Sequence, residues 1–181
     1  SSGPTYGGRK KPDLVSSPYG GVCAADWDVD ADTQLNDYDN CGSGTSYAAP
    51  RAAGGAILLA STGVYKPATQ KAILINTATP IQGQTYWMPR SGWGALNLDG
   101  AFTHRGHYED GFVTEAGVNS TRFFSQNSVA IGDKTTLVWN RRASHWTGAG
   151  GALYMTLTNL DLFQFAAGDA CNPSCTPTAS G

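Results

Sequence analysis

The sequence predicts two units of different class, a helix-bearing unit with short strands over residues 1–105 and an all-β unit over residues 106–181. Three patterns carry this reading. The run from Ser46 to Ala60 is small, apolar and almost uncharged, with the length and composition of a buried helix. A second helical pattern opens at Pro67 and cannot pass Pro80. Beyond about Arg105 helical signals vanish and apolar residues recur with period two. A change from helix-bearing to strand-only sequence is what a domain boundary looks like, and it falls near residues 104–110.

The first 40 residues are rich in turn signals: Gly7-Gly8, Lys11-Pro12-Asp13, Ser17-Pro18 and Gly20-Gly21. They read as loops around short strands such as Asp13-Leu14-Val15. An acidic stretch follows from Asp26 to Asp39. Asp28, Asp30 and Asp32 alternate as oxygen ligands of calcium would, but the stretch lacks the glycine and terminal glutamate of a calcium loop and reads as a solvated surface. In the helix that follows, Ser46 suits the N-cap, and Pro50 is tolerated where first-turn amides have no intrahelical acceptor. Gly54 and Gly55 each cost a helix about 1 kcal/mol relative to alanine, which implies that another element packs closely there. Gly63 closes the helix.

The second helix runs from Pro67 through Ala72, Ile73 and Ile75 to about Ala78. Ser91-Gly92-Trp93-Gly94-Ala95-Leu96-Asn97-Leu98 reads as a turn and short strand, with Asp99 capping one more helical turn. The strand candidates of the second unit are residues 135–139, 152–158 and 160–165.

Composition narrows the partners. Charged residues make up 14% of the chain against a usual share of about 25%, net charge is −2, and there is no basic run, so nucleic acid is not an expected partner. No stretch approaches the roughly 18 apolar residues of a membrane span, and Ser1-Ser2-Gly3-Pro4-Thr5 has no signal-peptide core. High glycine, tryptophan and tyrosine with few charges fit a secreted protein. The cysteines form two close pairs, Cys23 with Cys41 and Cys171 with Cys175. Local disulfides are the simplest reading. A zinc site competes less well, because Cys171-x3-Cys175 has no second pair near it and no histidine lies between Cys23 and Cys41. Asn119-Ser120-Thr121 matches a glycosylation acceptor pattern and reads as a chance occurrence.

The chemically informative run is Gly44-Thr45-Ser46-Tyr47-Ala48-Ala49-Pro50. A hydroxyl where a glycine-flanked turn enters a buried helix sits beside an outward-pointing backbone amide and the positive end of the helix dipole, and both favour a developing oxyanion. Capping serines are nevertheless far commoner than nucleophiles, so the local physics does not decide.

Gly44-Thr45-Ser46-x-Ala48-Ala49-Pro50-x-x-Ala53-Gly54 resembles the serine signature of the subtilases. Tyr47 and Arg51 stand where that family usually has methionine and histidine; neither is a triad position. Ser1-Ser2-Gly3-Pro4 and Gly8-Arg9-Lys10-Lys11-Pro12-Asp13-Leu14 resemble the segment before the serine motif. Ile73-Leu74-Ile75-Asn76-Thr77-Ala78 and Gly92-Trp93-Gly94-Ala95-Leu96-Asn97 resemble the end of the catalytic domain, so the likeness spans roughly residues 1–103. Residues 134–139 and 157–162 are similar, more loosely, to the jelly-roll-like domain that follows in one branch of the family.

The resemblance implies the C-terminal portion of an α/β, doubly wound, mostly parallel sheet, followed by an incomplete all-β jelly-roll-like domain. It implies a serine endopeptidase with Ser46 as nucleophile and its own amide as one oxyanion donor. The family orders its triad aspartate, histidine, serine, with an oxyanion asparagine between the last two. Asp13 belongs to the pre-serine motif. His104, His107 and His145 all follow Ser46, and none has the family's His-Gly-Thr-His setting. The aspartate, histidine and asparagine are therefore expected from an upstream N-terminal portion of the same protease, which joins the polypeptide substrate as a partner. The chemistry needs no cofactor, and calcium enters as a stabiliser at most. The alternative is a non-catalytic protein that keeps the fold for binding or structural purposes. A chain that folds and acts alone fits less well, because half a doubly wound sheet exposes apolar faces and edges.

Overall fold

Helix α1 (Thr45–Ser61) grows from the uncharged run, and the computed structural model, which describes residues 2–17, 43–111 and 133–140, shows how its ends are set. Gly44 is the N-cap, with the amides of Tyr47 and Ala48 each donating to its carbonyl at 3.1 Å. The helix thus starts one residue before Ser46, which is not the cap as expected but the second helical residue. Pro50 accordingly lies within the helix rather than at its edge. At the other end Gly63 donates to Ala60 O at 3.0 Å and Val64 to Leu59 O at 3.3 Å, the paired bonds of a Schellman motif. Gly63 adopts φ 97°, which a side chain would resist, and Leu59 and Val64 are buried in the same cluster.

Helix α2 (Pro67–Asn76) has proline at its first turn, as expected. It stops two residues short of Ala78. The Thr77 hydroxyl and amide both bond back to Ile73 O, and Ala78 N reaches Ile75 O, tightening the last turn before Thr79 leaves to pair with Ala95. Helix α3 (Leu98–Thr103) is capped by Asn97, whose Oδ1 accepts from Gly100 N at 2.9 Å. Asp99, expected as the cap, is inside the first turn, where its charge suits the helix dipole.

Leu59 and Val64 from the end of α1, Ile73 and Leu74 from α2 and Ala101 from α3 form the core, with Leu14, Ala56 and Leu96 packed against it. Of the two helix glycines read as close-approach points, Gly55 is one: a Cβ there would lie 2.7 Å from Leu98 Cδ2 and 3.5 Å from Leu96 Cδ2. Gly54 faces open space, because adjacent helix positions are turned by about 100°. Ile57 and Leu58 of α1 are 69% and 58% exposed.

The expected sheet is not formed among the described residues. Pairing there is limited to isolated bridges, Val15 with Ala95 in parallel, Thr79 with Ala95 antiparallel, and Met88 with Gly92 antiparallel. Ala95 is the central position: Leu96 N donates to Val15 O at 2.7 Å on one side, and Ala95 and Thr79 exchange bonds on the other. A parallel strand is completed by its neighbours, and a single bridge per pair does not extend into a ladder.

By proximity of Cα atoms the chain divides into two compact units. One holds Ser1–Tyr108 with Lys134–Thr136, the other Glu109–Asp133 with Leu137–Gly181. The strand candidate at residues 135–139 takes no ladder pairing among the described residues, and Thr136 Oγ1 instead donates to Asn76 Oδ1 at 2.8 Å. The candidates at 152–158 and 160–165, and with them most of the expected jelly-roll-like region, lie outside the described residues.

Candidate active site

Ser46 occupies the first turn of α1 and is exposed. As the second helical residue it carries an amide with no intrahelical acceptor. Its carbonyl is deprived as well, since the residue four positions on is Pro50, which has no N–H to donate. No acidic residue stands in the first turn, so the positive end of the helix dipole is not neutralised locally. Ala48 and Ala49 keep the surroundings small. A hydroxyl, a free amide and an uncompensated dipole end thus share one turn, suited to a nucleophile whose product oxygen becomes negative.

The segments flanking Ser46 in the sequence are brought together around α1. Arg51, one turn beyond the serine, donates through its guanidinium to Ser17 O at 2.9 Å, which ties the helix to the N-terminal segment. That segment is held in turn by residues 87–96. Trp93 N donates to Asp13 O at 2.8 Å, Trp87 Nε1 to Pro12 O at 3.0 Å, and Val15 N to Gly94 O at 2.9 Å. Gly92 makes this approach feasible: with φ 60°, a Cβ there would lie 2.5 Å from the Asp13 carbonyl carbon and oxygen.

Asp13 anchors the same segment electrostatically, pairing with Lys11 and, at 2.9 Å, with Lys71 of α2. Burial raises its pKa, but hydrogen bonds and charge attraction from the two ammonium groups outweigh that and hold the carboxyl below its ordinary value. Its role is structural, in keeping with its place in the pre-serine motif.

Residues 81–92 are organised by a side chain that sequence reasoning missed. Buried Gln84 accepts at Oε1 from Ile81 N at 3.2 Å and from Ser91 Oγ at 3.3 Å. Its Nε2 donates to Tyr86 O at 3.0 Å and to Gly92 O at 2.6 Å. All four of its hydrogen-bonding capacities are engaged, which fixes the loop that carries Gly92 to Asp13.

Among the described residues no imidazole or carboxylate is hydrogen-bonded to Ser46. His104 and His107 contact each other at the end of α3. His145, all four cysteines, Asp28, Asp30, Asp32 and Asn119 lie outside the described residues. None of the described helices is long and apolar enough to cross a membrane.

A model of the subtilase family aligns with residues 1–94, just over half of the chain, and covers the pre-serine segment, the Ser46 turn, α1, α2 and the Gln84 loop. No curated protein and no solved structure matches. The chain belongs to the subtilase family, an α/β family of serine peptidases.

Proposed function

We propose that the protein is a secreted serine endopeptidase in which Ser46 is the nucleophile. The observation that carries the proposal is the position of Ser46, exposed in the first turn of α1 with an amide that has no intrahelical acceptor, inside the region matched by the family. The oxyanion site uses that amide together with an asparagine side chain from an upstream segment of the same protease. The aspartate and histidine of the triad are assigned to the same segment, because the family orders both before the serine and no His-Gly-Thr-His setting stands in this sequence.

In the first half-reaction the upstream histidine takes the Ser46 proton, Oγ attacks the peptide carbonyl carbon, and the carbonyl oxygen becomes an oxyanion held by the Ser46 amide. Collapse breaks the C–N bond, with the histidine returning the proton to the leaving amine. Water then attacks the acyl-serine ester, again assisted by histidine, and releases the acid and the serine. Nothing in this sequence of steps calls on a cofactor, and calcium is assigned at most a stabilising role. The exposed apolar residues Ile57 and Leu58 on α1 support an upstream portion that packs against this chain.

The test is hydrolysis of a denatured protein substrate by the protease carrying its upstream portion. Ser46→Ala is expected to lower turnover by on the order of 10⁶-fold, as loss of a triad nucleophile does, with folding unchanged by circular dichroism. Hydrolysis that survives Ser46→Ala would remove Ser46 from the mechanism. A wild-type protein that binds the substrate without cleaving it would replace the peptidase by a non-catalytic binding protein of the same fold.

A further inference from the structure

The end of α3 presents two imidazoles edge to edge. The backbone turns there, with His104 N donating to Gly100 O at 3.0 Å to close the helix and His107 N donating to His104 O at 2.9 Å to close the next turn. The two side chains are thereby set side by side, both exposed, with Nδ1 of His104 3.3 Å from Nδ1 of His107. The ring centroids are 5.3 Å apart, so each ring turns its Nδ1 edge toward the other.

We propose that His104 and His107 form a two-imidazole chelate for zinc(II). Two ligands at zinc–nitrogen distances of about 2.0–2.1 Å and a tetrahedral angle are separated by about 3.3–3.4 Å, which is the separation found here. Without an ion the same separation is bridged by an N–H···N bond between the two rings, whose direction depends on their tautomers. The neighbouring cation is engaged elsewhere: the Arg105 guanidinium lies 3.9 Å over the Phe102 ring and donates to Phe102 O at 2.6 Å. His107 also borders a recess with Thr62, Thr103 and Tyr108. Two protein ligands with open positions make a site that exchanges its ion, and by joining the last turn of α3 to the turn after it the ion stabilises that end of the first unit.

The test is zinc titration of the full chain by calorimetry, with thiols alkylated beforehand, alongside thermal unfolding with and without zinc. Wild type is expected to bind one ion per chain and to unfold at a higher temperature when zinc is present. His104→Ala and His107→Ala, both at exposed positions, are each expected to weaken binding by at least about 10–100-fold, the loss seen when even an outer partner of a metal ligand is removed. Both variants are also expected to abolish the thermal shift, whereas His145→Ala leaves both readouts unchanged. Cobalt(II) in place of zinc is expected to give the intense visible absorption of a tetrahedral ion. Absence of binding in wild type, wild-type-like binding in the two variants, or binding without a thermal shift would each overturn the proposal.

Discussion

Replacing Gly92 with alanine separates two requirements that the structure places on one residue. The first is conformational: φ is 60°, where a Cβ costs about 1–2 kcal/mol. The second is spatial, because the new Cβ would lie 2.5 Å from the carbonyl carbon and oxygen of Asp13 and 2.6 Å from Pro12 O. Those are backbone atoms that cannot swing aside, so relief requires parting residues 12–13 from 92–93, with loss of the Trp93 N to Asp13 O bond. Overpacking of this kind costs about 1–3 kcal/mol, giving a total of about 2–5 kcal/mol for Gly92→Ala. Gly63→Ala is the control, because φ there is 97° and nothing lies within 4 Å of the added methyl, so it carries the conformational part of about 1–2 kcal/mol alone. Denaturant unfolding followed by far-UV circular dichroism gives both values from the shift in midpoint at unchanged slope. Equal losses in the two variants would refute the reasoning, since the close approach of residues 92 and 13 would then contribute nothing.

Three further outcomes are expected. Asp13 has a lowered pKa, so its contribution to stability is fully present above the ordinary carboxylate range and is lost as pH falls through the lowered value. Asp13→Asn should therefore be less stable than wild type at neutral pH and converge with it on acidification, as read by unfolding midpoints across that range. Gln84→Ala removes the partner of the buried Ser91 hydroxyl and one of the two donors on the Gly92 carbonyl, which keeps the Met88 amide, and should cost about 1–3 kcal/mol by the same denaturation assay. Asn97→Ala removes the side-chain cap of α3 and should cost about 1 kcal/mol, whereas Asp99→Ala should cost less.

Local signals make the helices legible in the sequence. Pro67 marks the start of α2 because its missing N–H is harmless there, and Gly63 marks the end of α1 because it accepts positive φ. The serine signature around Ser46 is legible as a pattern of small residues and proline. Both N-caps are misplaced by two positions, since Ser46 and Asp99 have the chemistry of N-caps and only the path of the backbone decides that Gly44 and Asn97 hold those posts. The contacts that assemble the site leave no periodic trace. Gln84 sits in an ordinary polar turn, Lys71 meets Asp13 across the fold, and Gly92 differs from other turn glycines only through what lies against it. The doubly wound sheet is an expectation from the family likeness alone, and the described residues form isolated bridges at Ala95 and between Met88 and Gly92.

The most direct test of the central claim is labelling with a serine-directed fluorophosphonate, read by intact mass and peptide mapping. With its upstream portion present, the protein is expected to gain one adduct on the peptide bearing Ser46, and the Ser46→Ala variant none. The chain by itself is expected to stay unlabelled, because the proposed base belongs to the upstream portion. An adduct on another residue, or no adduct when the upstream portion is present, would contradict the assignment of Ser46 as nucleophile. Labelling of the isolated chain would contradict the claim that its base comes from elsewhere.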